Sequence, residues 1–518
     1  MSLFEKQVEQ NPNKTALIFE DTKFTYSQLN EKINRLANLL VQEYKIQRNQ
    51  VVSILVNRSE NTVISMLAAL KIGATYLLID ESLPFDRILY MLENSKSILL
   101  ITTSNMKNID FPYKLMLDKI DLNYYSPNPP NVTSSNEDGF CVIYTSGSTG
   151  TPKGVLLNRL GVINLLLNYQ KVLDTNICDS FLSMSAISFD MFIVENFIPL
   201  LSGKTVILCN EEQQKIPVFT LGLIKKYKAN FLLTTPTRMN LLLDTISNAS
   251  DVESLKVIQL GGEVFTPELY EKIRKYTNAN IYNGYGPSEA TACCCCKKVE
   301  STNITIGKPF YNTKLLICDK DLNLCPVGIP GELCVCGDGV GNGYINREDL
   351  TKLSFVPNPY ENNILYRTGD IARFLENGEI EYIGRRDFQI KIRGLRVELS
   401  EIEKQLQKIP NVTNSAVIYH SGSSAYIAAF YTVSSPIEES YIRKKLSEVL
   451  PLYMVPKYLV LLDQLPITQN GKIDKKTLMN YNLSQEEAKT NYVAPQTEKQ
   501  ELFCRIWSQL LNHKIGID

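Results

Sequence analysis

The segment Tyr144-Thr145-Ser146-Gly147-Ser148-Thr149-Gly150-Thr151-Pro152-Lys153-Gly154 concentrates hydroxyls, glycines and one lysine directly after the apolar run Phe140–Tyr144. Glycine lets a backbone approach an anion closely, hydroxyls donate to phosphate oxygens, and lysine supplies charge. The segment is not a Walker A loop. The spacing to Lys153 is wrong for one, and Gly154 stands where a Ser or Thr would hold magnesium. Strand and helix patterns flank it tightly, which predicts a phosphate-binding loop and argues against a flexible linker.

Other segments extend this set. Asn283-Gly284-Tyr285-Gly286-Pro287-Ser288-Glu289-Ala290-Thr291 offers an aromatic face, a tight turn and an acid. Tyr366-Arg367-Thr368-Gly369-Asp370 adds an acid suited to gripping ribose hydroxyls. Cations come from Gly384-Arg385-Arg386-Asp387-Phe388-Gln389-Ile390-Lys391-Ile392-Arg393-Gly394 and from Asn470-Gly471-Lys472-Ile473-Asp474. The run Cys293-Cys294-Cys295-Cys296 contains a C-x-x-C spacing, with Cys334-Val335-Cys336 nearby. A zinc or redox site fits it poorly, since zinc pairs are separated by turns, and small buried residues on a core strand are expected instead. Only two histidines exist, His420 and His513, both remote in sequence from the Gly-rich chemistry, which argues against a Ser-His-Asp hydrolase.

The elements that must position these groups alternate. Leu29, Ile33, Leu36, Ala37 and Leu40 are spaced as the buried stripe of a helix, with Ser27 expected as its N-cap. Apolar strands are expected at Val51–Val56, Thr75–Ile79, Ile98–Thr102, Phe140–Tyr144, Thr205–Leu208, Phe231–Thr234 and Val257–Leu260. Such alternation predicts an α/β protein with layered, mostly parallel sheets. From about Gly331 the pattern turns to short strands, a β-rich subdomain. After Arg386 a small α+β domain is expected, with a helix at Glu398–Leu406, strands at Ala416–Tyr419 and Tyr426–Val433, and a helix at Ile437–Leu450. The domain boundaries expected are 1–386, 387–480, a linker at 481–496 ending in Ala494-Pro495, and a last segment at 497–518. In that segment Glu498–Leu511 reads as an amphipathic helix, with Leu502, Ile506, Trp507 and Leu510 on one stripe.

Composition narrows the class. The 518 residues hold 54 Lys+Arg against 55 Asp+Glu, a formal net charge of −1. A length beyond about 250–300 residues predicts several domains. The near-zero balance argues against nucleic acid as main partner. No apolar run approaches the roughly 20 residues of a membrane span, and the first residues lack a secretory signal. A cytoplasmic protein is expected.

In this order, the segments resemble the adenylate-forming superfamily of acyl-CoA synthetases, luciferases and nonribosomal peptide synthetase adenylation domains, from Phe4 to Lys476. The amino-acid-activating branch is the most similar. Leu70-Lys71-Ile72-Gly73-Ala74-Thr75-Tyr76, Gly331-Glu332-Leu333, the Lys391–Glu403 block and Leu450-Pro451-Leu452-Tyr453-Met454-Val455-Pro456 all follow it. The tail from Tyr492 resembles the linker and first helix of a peptidyl carrier domain, which implies a longer natural chain. Two positions depart from the pattern: Asn158-Arg159 where the family often has His-Arg, and Gly341-Asn342 where it often has Ala-Arg.

The resemblance implies a two-step reaction. A carboxylate attacks the α-phosphate of ATP, and a phosphopantetheine thiol on a carrier domain then takes the acyl group. It implies that Thr145, Ser146, Gly147, Ser148, Thr149, Gly150 and Lys153 cradle phosphates, and that Glu289 holds Mg²⁺. Gly262, Glu263, Asn283, Tyr285, Gly286, Ser288, Asp370, Tyr382 and Arg385 would complete the ATP site. Lys472 would serve adenylation, Lys391 the thiol step, and Asp387 would be the hinge between two presentations of the small domain. The implied amino-acid pocket is Asp190, Met191, Val194, Leu233, Gln259, Gly261, Gly284, Ala292 and Cys293, with Lys472 closing it. Asp190 would pair with the α-ammonium, which argues against an acyl- or aryl-CoA ligase. The other wall residues are uncharged, so a neutral, bulky, mainly apolar or aromatic side chain is expected. Implied partners are a downstream carrier domain, other synthetase modules and a small MbtH-like protein.

Overall fold

The structure, a computed structural model, describes residues 1–132, 135–147, 150–386, 389–392, 395–420, 425–467, 473–481, 483, 495 and 497–511. Contacts divide the chain into two units, Met1–Glu401 with Ser447–Leu452, and Ile402–Leu446 with Tyr453–Asp518.

In the first unit, the continuous apolar runs become strands buried on both faces. A nine-stranded sheet runs in the order Lys308–Pro309, Cys295–Lys298, Asn280–Tyr285, Val257–Gly261, Phe231–Thr234, Ser180–Ser183, Thr205–Leu208, Thr15–Phe19, Thr22–Thr25. From Asn280–Tyr285 to Thr15–Phe19 the pairings are parallel, as the alternation predicted. A six-stranded sheet runs Lys114–Met116, Leu99–Thr102, Val51–Leu55, Thr75–Leu78, Gly139–Thr145, Lys153–Asn158, parallel except for its last pair. Between the layers lie Phe181, Phe192, Phe231, Phe140 and Phe197, all in one buried cluster. Truncating one such ring to Ala would cost about 3–5 kcal/mol.

Three local expectations are corrected. The helix Tyr26–Gln42 is capped by Thr25, not Ser27: Thr25 accepts from Gln28 N–H and Gln28 reaches back to Thr25 N–H, a capping box. The antiparallel subdomain begins near Thr313, earlier than Gly331, because Thr313–Cys318 is its first strand. That sheet runs Thr313–Cys318, Gly331–Gly337, Ile364–Phe374, Phe355–Pro357, with Ile380–Arg385 also pairing to Ile364–Phe374. The phosphate-type segment is followed by the strand Lys153–Asn158, and the helix Arg159–Val172 comes only after it.

In the second unit, Val412–His420 pairs antiparallel with Tyr426–Val433, which pairs parallel with Tyr458–Leu461. Ala416, Ile418, Ala428, Phe430, Val460 and Leu478 form its core. The helix Glu498–Leu511 forms over the expected span and keeps Leu502, Phe503 and Trp507 exposed. Among the described residues no helix is long and apolar enough to cross a membrane.

Candidate active site

The phosphate-type segment is a hairpin turn. Its two strands are in register at Thr145 and Lys153, so both residues meet at the mouth of the loop. Gly150 has φ 87° and donates its N–H to Gly147 O at 2.9 Å. Thr145 Oγ1 is buried and has no hydrogen-bond partner. Ser146 Oγ donates to Arg396 O at 2.8 Å, and Gly147 N–H donates to Glu401 Oε2 at 3.2 Å. Ser148 and Thr149 lie outside the described residues.

Lys153 is buried against Tyr344, donating to its hydroxyl at 2.9 Å, and stands 3.3 Å from Glu289 Oε1. Burial and then the Arg396 cation push its ammonium down to about 8. Glu289 sits on the short turn Ser288–Ala290 after the strand Asn280–Tyr285 and has no exposed surface. Its Oε1 accepts from Tyr344 Oη at 2.7 Å and from Arg396 Nη1 at 3.0 Å. Burial opposes ionisation, but Arg396, Lys153 and Tyr344 outweigh it and hold this carboxyl well below the usual range. A carboxylate is the donor type that Mg²⁺ takes; in this arrangement the oxygens of Glu289 are engaged by cations instead.

Period-two alternation puts Asn283 and Tyr285 on one face of their strand and Gly284 on the other. Asn283 Nδ2 donates to Thr305 O at 2.8 Å. The Tyr285 hydroxyl donates to Asp370 Oδ2, and Arg385 Nη1 holds Asp370 Oδ1 at 3.0 Å. The Tyr382 ring lies 6.0 Å from that of Tyr285. Gly286 permits a close crossing, since a Cβ there would stand 2.5 Å from Ala292 O. Glu263, by contrast, accepts from Thr237 N–H at 2.9 Å, a local tie to the helix Pro236–Leu243, next to Gly262 at φ 83°.

On the other face of that strand lies the expected pocket. A Cβ on Gly284 would meet Gln259 Nε2 at 2.5 Å, and one on Gly261 would stand 3.6 Å from Met191 Cε. Gln259 is fully buried; its Nε2 donates to Tyr169 Oη at 2.8 Å, while Oε1 has no partner. Val194, Leu233, Ala292 and Cys293 belong to one buried cluster. The whole run Cys293–Cys296 is buried, with Cys295 and Cys296 on the strand Cys295–Lys298. Asp190 begins the helix Met191–Leu201 and accepts from Ser288 Oγ at 2.5 Å. Burial pushes its carboxyl up, against the pull of Ser288 and the Lys391 cation. Lys391 is on the strand Gln389–Ile392, in register with Arg396 on Leu395–Glu398. Burial lowers its pKa, with Asp370 and Asp190 among the acids that oppose this. Lys472 and Asp387 lie outside the described residues.

Three residues that sequence reasoning did not single out are central here. Arg396 and Tyr344 clamp Glu289, and Tyr169 holds Gln259. The two departures from the family pattern touch: Asn158 Nδ2 donates to Asn342 Oδ1 at 3.0 Å, while Asn158 Oδ1 caps the helix Arg159–Val172 through Gly161 N–H at 2.7 Å.

A hairpin of phosphate-binding type beside a Tyr–Asp–Arg set suited to a ribose defines a nucleotide-using enzyme. The chain belongs to the AMP-binding enzyme family, which supports an AMP-forming ligase: residues 4–345 match the AMP-binding enzyme family and residues 401–472 its AMP-binding enzyme C-terminal domain. It is similar to bacitracin synthase 3 of Bacillus licheniformis, 39% identical over 99% of this chain and 8% of that protein. It is also similar to tyrocidine synthase 2 of Brevibacillus parabrevis, 37% identical over 99% of this chain and 14% of the synthase. The chain thus spans a small part of these curated relatives. A solved nonribosomal peptide synthetase protein containing adenylation and PCP domains, bound to a vinylsulfonamide inhibitor, has the same fold. Its TM-score is 0.84 at 24% identity, over 100% of this chain and 88% of that one.

Proposed function

We propose that this chain activates an amino acid as an aminoacyl adenylate and passes it to a phosphopantetheine thiol on a carrier domain, as the adenylation domain of a cytoplasmic nonribosomal peptide synthetase. The observation that carries this reading is the hydrogen bond from Ser288 to Asp190, residues 98 apart in sequence. It ties a buried acid suited to an α-ammonium to the segment whose next residue is Glu289. A buried carboxylate is costly without a counter-charge, and a substrate ammonium would offset that cost. A simple acyl or aryl acid brings no such group, so the CoA-ligase alternative is disfavoured.

In the first step a substrate carboxylate oxygen attacks the α-phosphorus of ATP, and the bond to the β-phosphate breaks, releasing pyrophosphate. Positioning and charge neutralisation carry such chemistry. Thr145, Ser146, Gly147, Gly150 and Lys153, with Ser148 and Thr149, would hold the leaving phosphates. Asp370 would take the ribose hydroxyls, with Tyr285 against adenine, Asn283 at its edge and Tyr382 and Arg385 alongside. Lys472 would bridge the carboxylate and α-phosphate. Glu289 would hold Mg²⁺, which neutralises phosphate charge when bound, once Arg396 withdraws from its oxygens. In the second step the thiol sulfur attacks the acyl carbon, the bond to AMP breaks, and Lys391 would serve that attack. Asp387 would be the hinge between the two steps. Other synthetase modules and a small MbtH-like protein are the further partners proposed.

The pocket of Met191, Val194, Leu233, Gln259, Gly261, Gly284, Ala292 and Cys293 supports a neutral, mainly apolar and bulky side chain. ATP–pyrophosphate exchange across the amino acids, with fatty and aryl acids as controls, tests this. Exchange only with acids lacking an α-amine would overturn it.

A further inference from the structure

Asp190 lies between two serines and a glutamate that face one another. The strand Ser180–Ser183 ends at Ser183, the chain turns through Ser185, and the helix Met191–Leu201 starts after Asp190. Five residues beyond Asp190, Glu195 points back from that helix with no exposed surface. It accepts from Ser185 N–H at 2.9 Å, Ser185 Oγ at 2.7 Å and Ser183 Oγ at 3.3 Å. The turn is held from outside as well. Arg58 donates to Ser183 O and Cys209 O, each at 2.6 Å, and to Ser185 O, and its guanidinium lies 5.0 Å from the centre of the Phe192 ring. Arg238 Nη1 donates to Met184 O at 3.1 Å.

A corner held only for stability does not need a carboxylate. Burial pushes Glu195 up to about 7, against Arg58, Ser185 and Arg238, so the ionised form is kept at a cost. An apolar side chain of similar volume would avoid that cost, but it would leave the N–H of Ser185 without its acceptor. What the carboxylate supplies is geometry. It closes the chain on itself across the ten residues from Ser185 to Glu195, with Asp190 at the midpoint and Met191 and Val194 on the same helix.

We infer that Glu195 is a positioning residue for amino-acid recognition: its hydrogen bonds to Ser185 and Ser183 fix the corner that aims Asp190 at the substrate's ammonium group. This rests on the amino-acid reading above. The Glu195→Gln variant faces Ser185 and Ser183 with an amide that has one acceptor oxygen instead of two. In pyrophosphate exchange, its KM for the amino acid should rise by about tenfold, the weight of one charge-assisted hydrogen bond. Its KM for ATP and its kcat at saturating amino acid should stay within about twofold. Ser185→Ala, which keeps the backbone donor and removes the hydroxyl, should raise the amino-acid KM by about threefold and carries the test if Glu195→Gln does not fold. Equal shifts in both KM values, or no shift in either variant, would overturn the inference while leaving the amino-acid reading intact. A wild-type chain that exchanges with no amino acid would sink both.

Discussion

Arg396 Nη1 stands 3.0 Å from Glu289 Oε1, and Lys153 Nζ approaches the same oxygen at 3.3 Å. Two cations therefore share one fully buried acid, with Glu398 Oε1 also 3.3 Å from Arg396 Nη2. Glu289→Gln leaves Lys153 without an ion-pair partner and Arg396 with Glu398 alone, which should cost about 3–5 kcal/mol. Arg396→Met leaves Glu289 still paired with Lys153 and Tyr344, so its cost should be smaller, about 1–2 kcal/mol. Urea unfolding of the two variants ranks them, and equal or greater loss in Arg396→Met would refute this account of the cluster.

Lys153 gives the site a pH dependence. Burial and Arg396 push its ammonium down to about 8, so its charge is present below that pH and lost as pH rises through it. Phosphate binding needs the charge. The kcat/KM for ATP should accordingly fall on the alkaline side of about pH 8, since this ratio reports the free enzyme. Removing the Arg396 cation relieves part of the suppression, so in Arg396→Met the falling limb should move to higher pH. A limb that stays put, or moves down, would show that another group titrates there.

The sequence was legible where structure is local. Thr205–Leu208 and Phe231–Thr234 form over the expected bounds, because fully buried parallel strands are unbroken apolar runs. Thr25 was passed over for Ser27 although Thr25-x-x-Gln28 carries the capping-box signature. Val155-Leu156-Leu157 is the sequence signal for the strand Lys153–Asn158, which stands between the phosphate-type loop and the helix Arg159–Val172. Pocket and nucleotide residues came from resemblance; the structure brings Gln259, Gly284 and Cys293 together and ties Asp190 to Ser288. Their supports stayed invisible, because they depend on partners far along the chain. Arg396 meets Glu289 across 107 positions and Tyr169 meets Gln259 across 90. No periodicity encodes such pairs.

The proposed mechanism assigns Lys391 and Lys472 to different steps. Burial lowers the Lys391 pKa, with Asp370 and Asp190 among the acids that oppose this. Lys391→Ala should leave pyrophosphate exchange within about threefold and slow loading of a carrier domain by about tenfold or more. Lys472→Ala should lower exchange by about a hundredfold or more, the weight of a charge aimed at a transition state. Single-turnover loading from preformed adenylate isolates the second step. Equal loss of exchange in both variants would refute the division of labour.

Gln259 is the polar member of the proposed amino-acid pocket. Its amide nitrogen lies beside Gly284 and Cys293 and donates to Tyr169 at 2.8 Å, while Oε1 is buried and unpartnered. An unmade buried hydrogen bond costs about 1–3 kcal/mol, and a substrate hydroxyl or N–H reaching Oε1 would recover it. The expected substrate is thus bulky and mainly apolar with one neutral polar group, since the expected wall residues beyond Asp190 and Lys472 carry no charge. Gln259→Leu should reverse the preference between the polar substrate and its apolar analogue, changing the ratio of kcat/KM values by about a hundredfold, because sites built to hydrogen-bond a group reject analogues lacking it. Tyr169→Phe removes the tether on Nε2 and should weaken the same discrimination by about tenfold without reversing it. Unchanged selectivity in Gln259→Leu would remove Gln259 from the side-chain pocket, and wild-type preference for a charged amino acid or glycine would overturn the pocket itself.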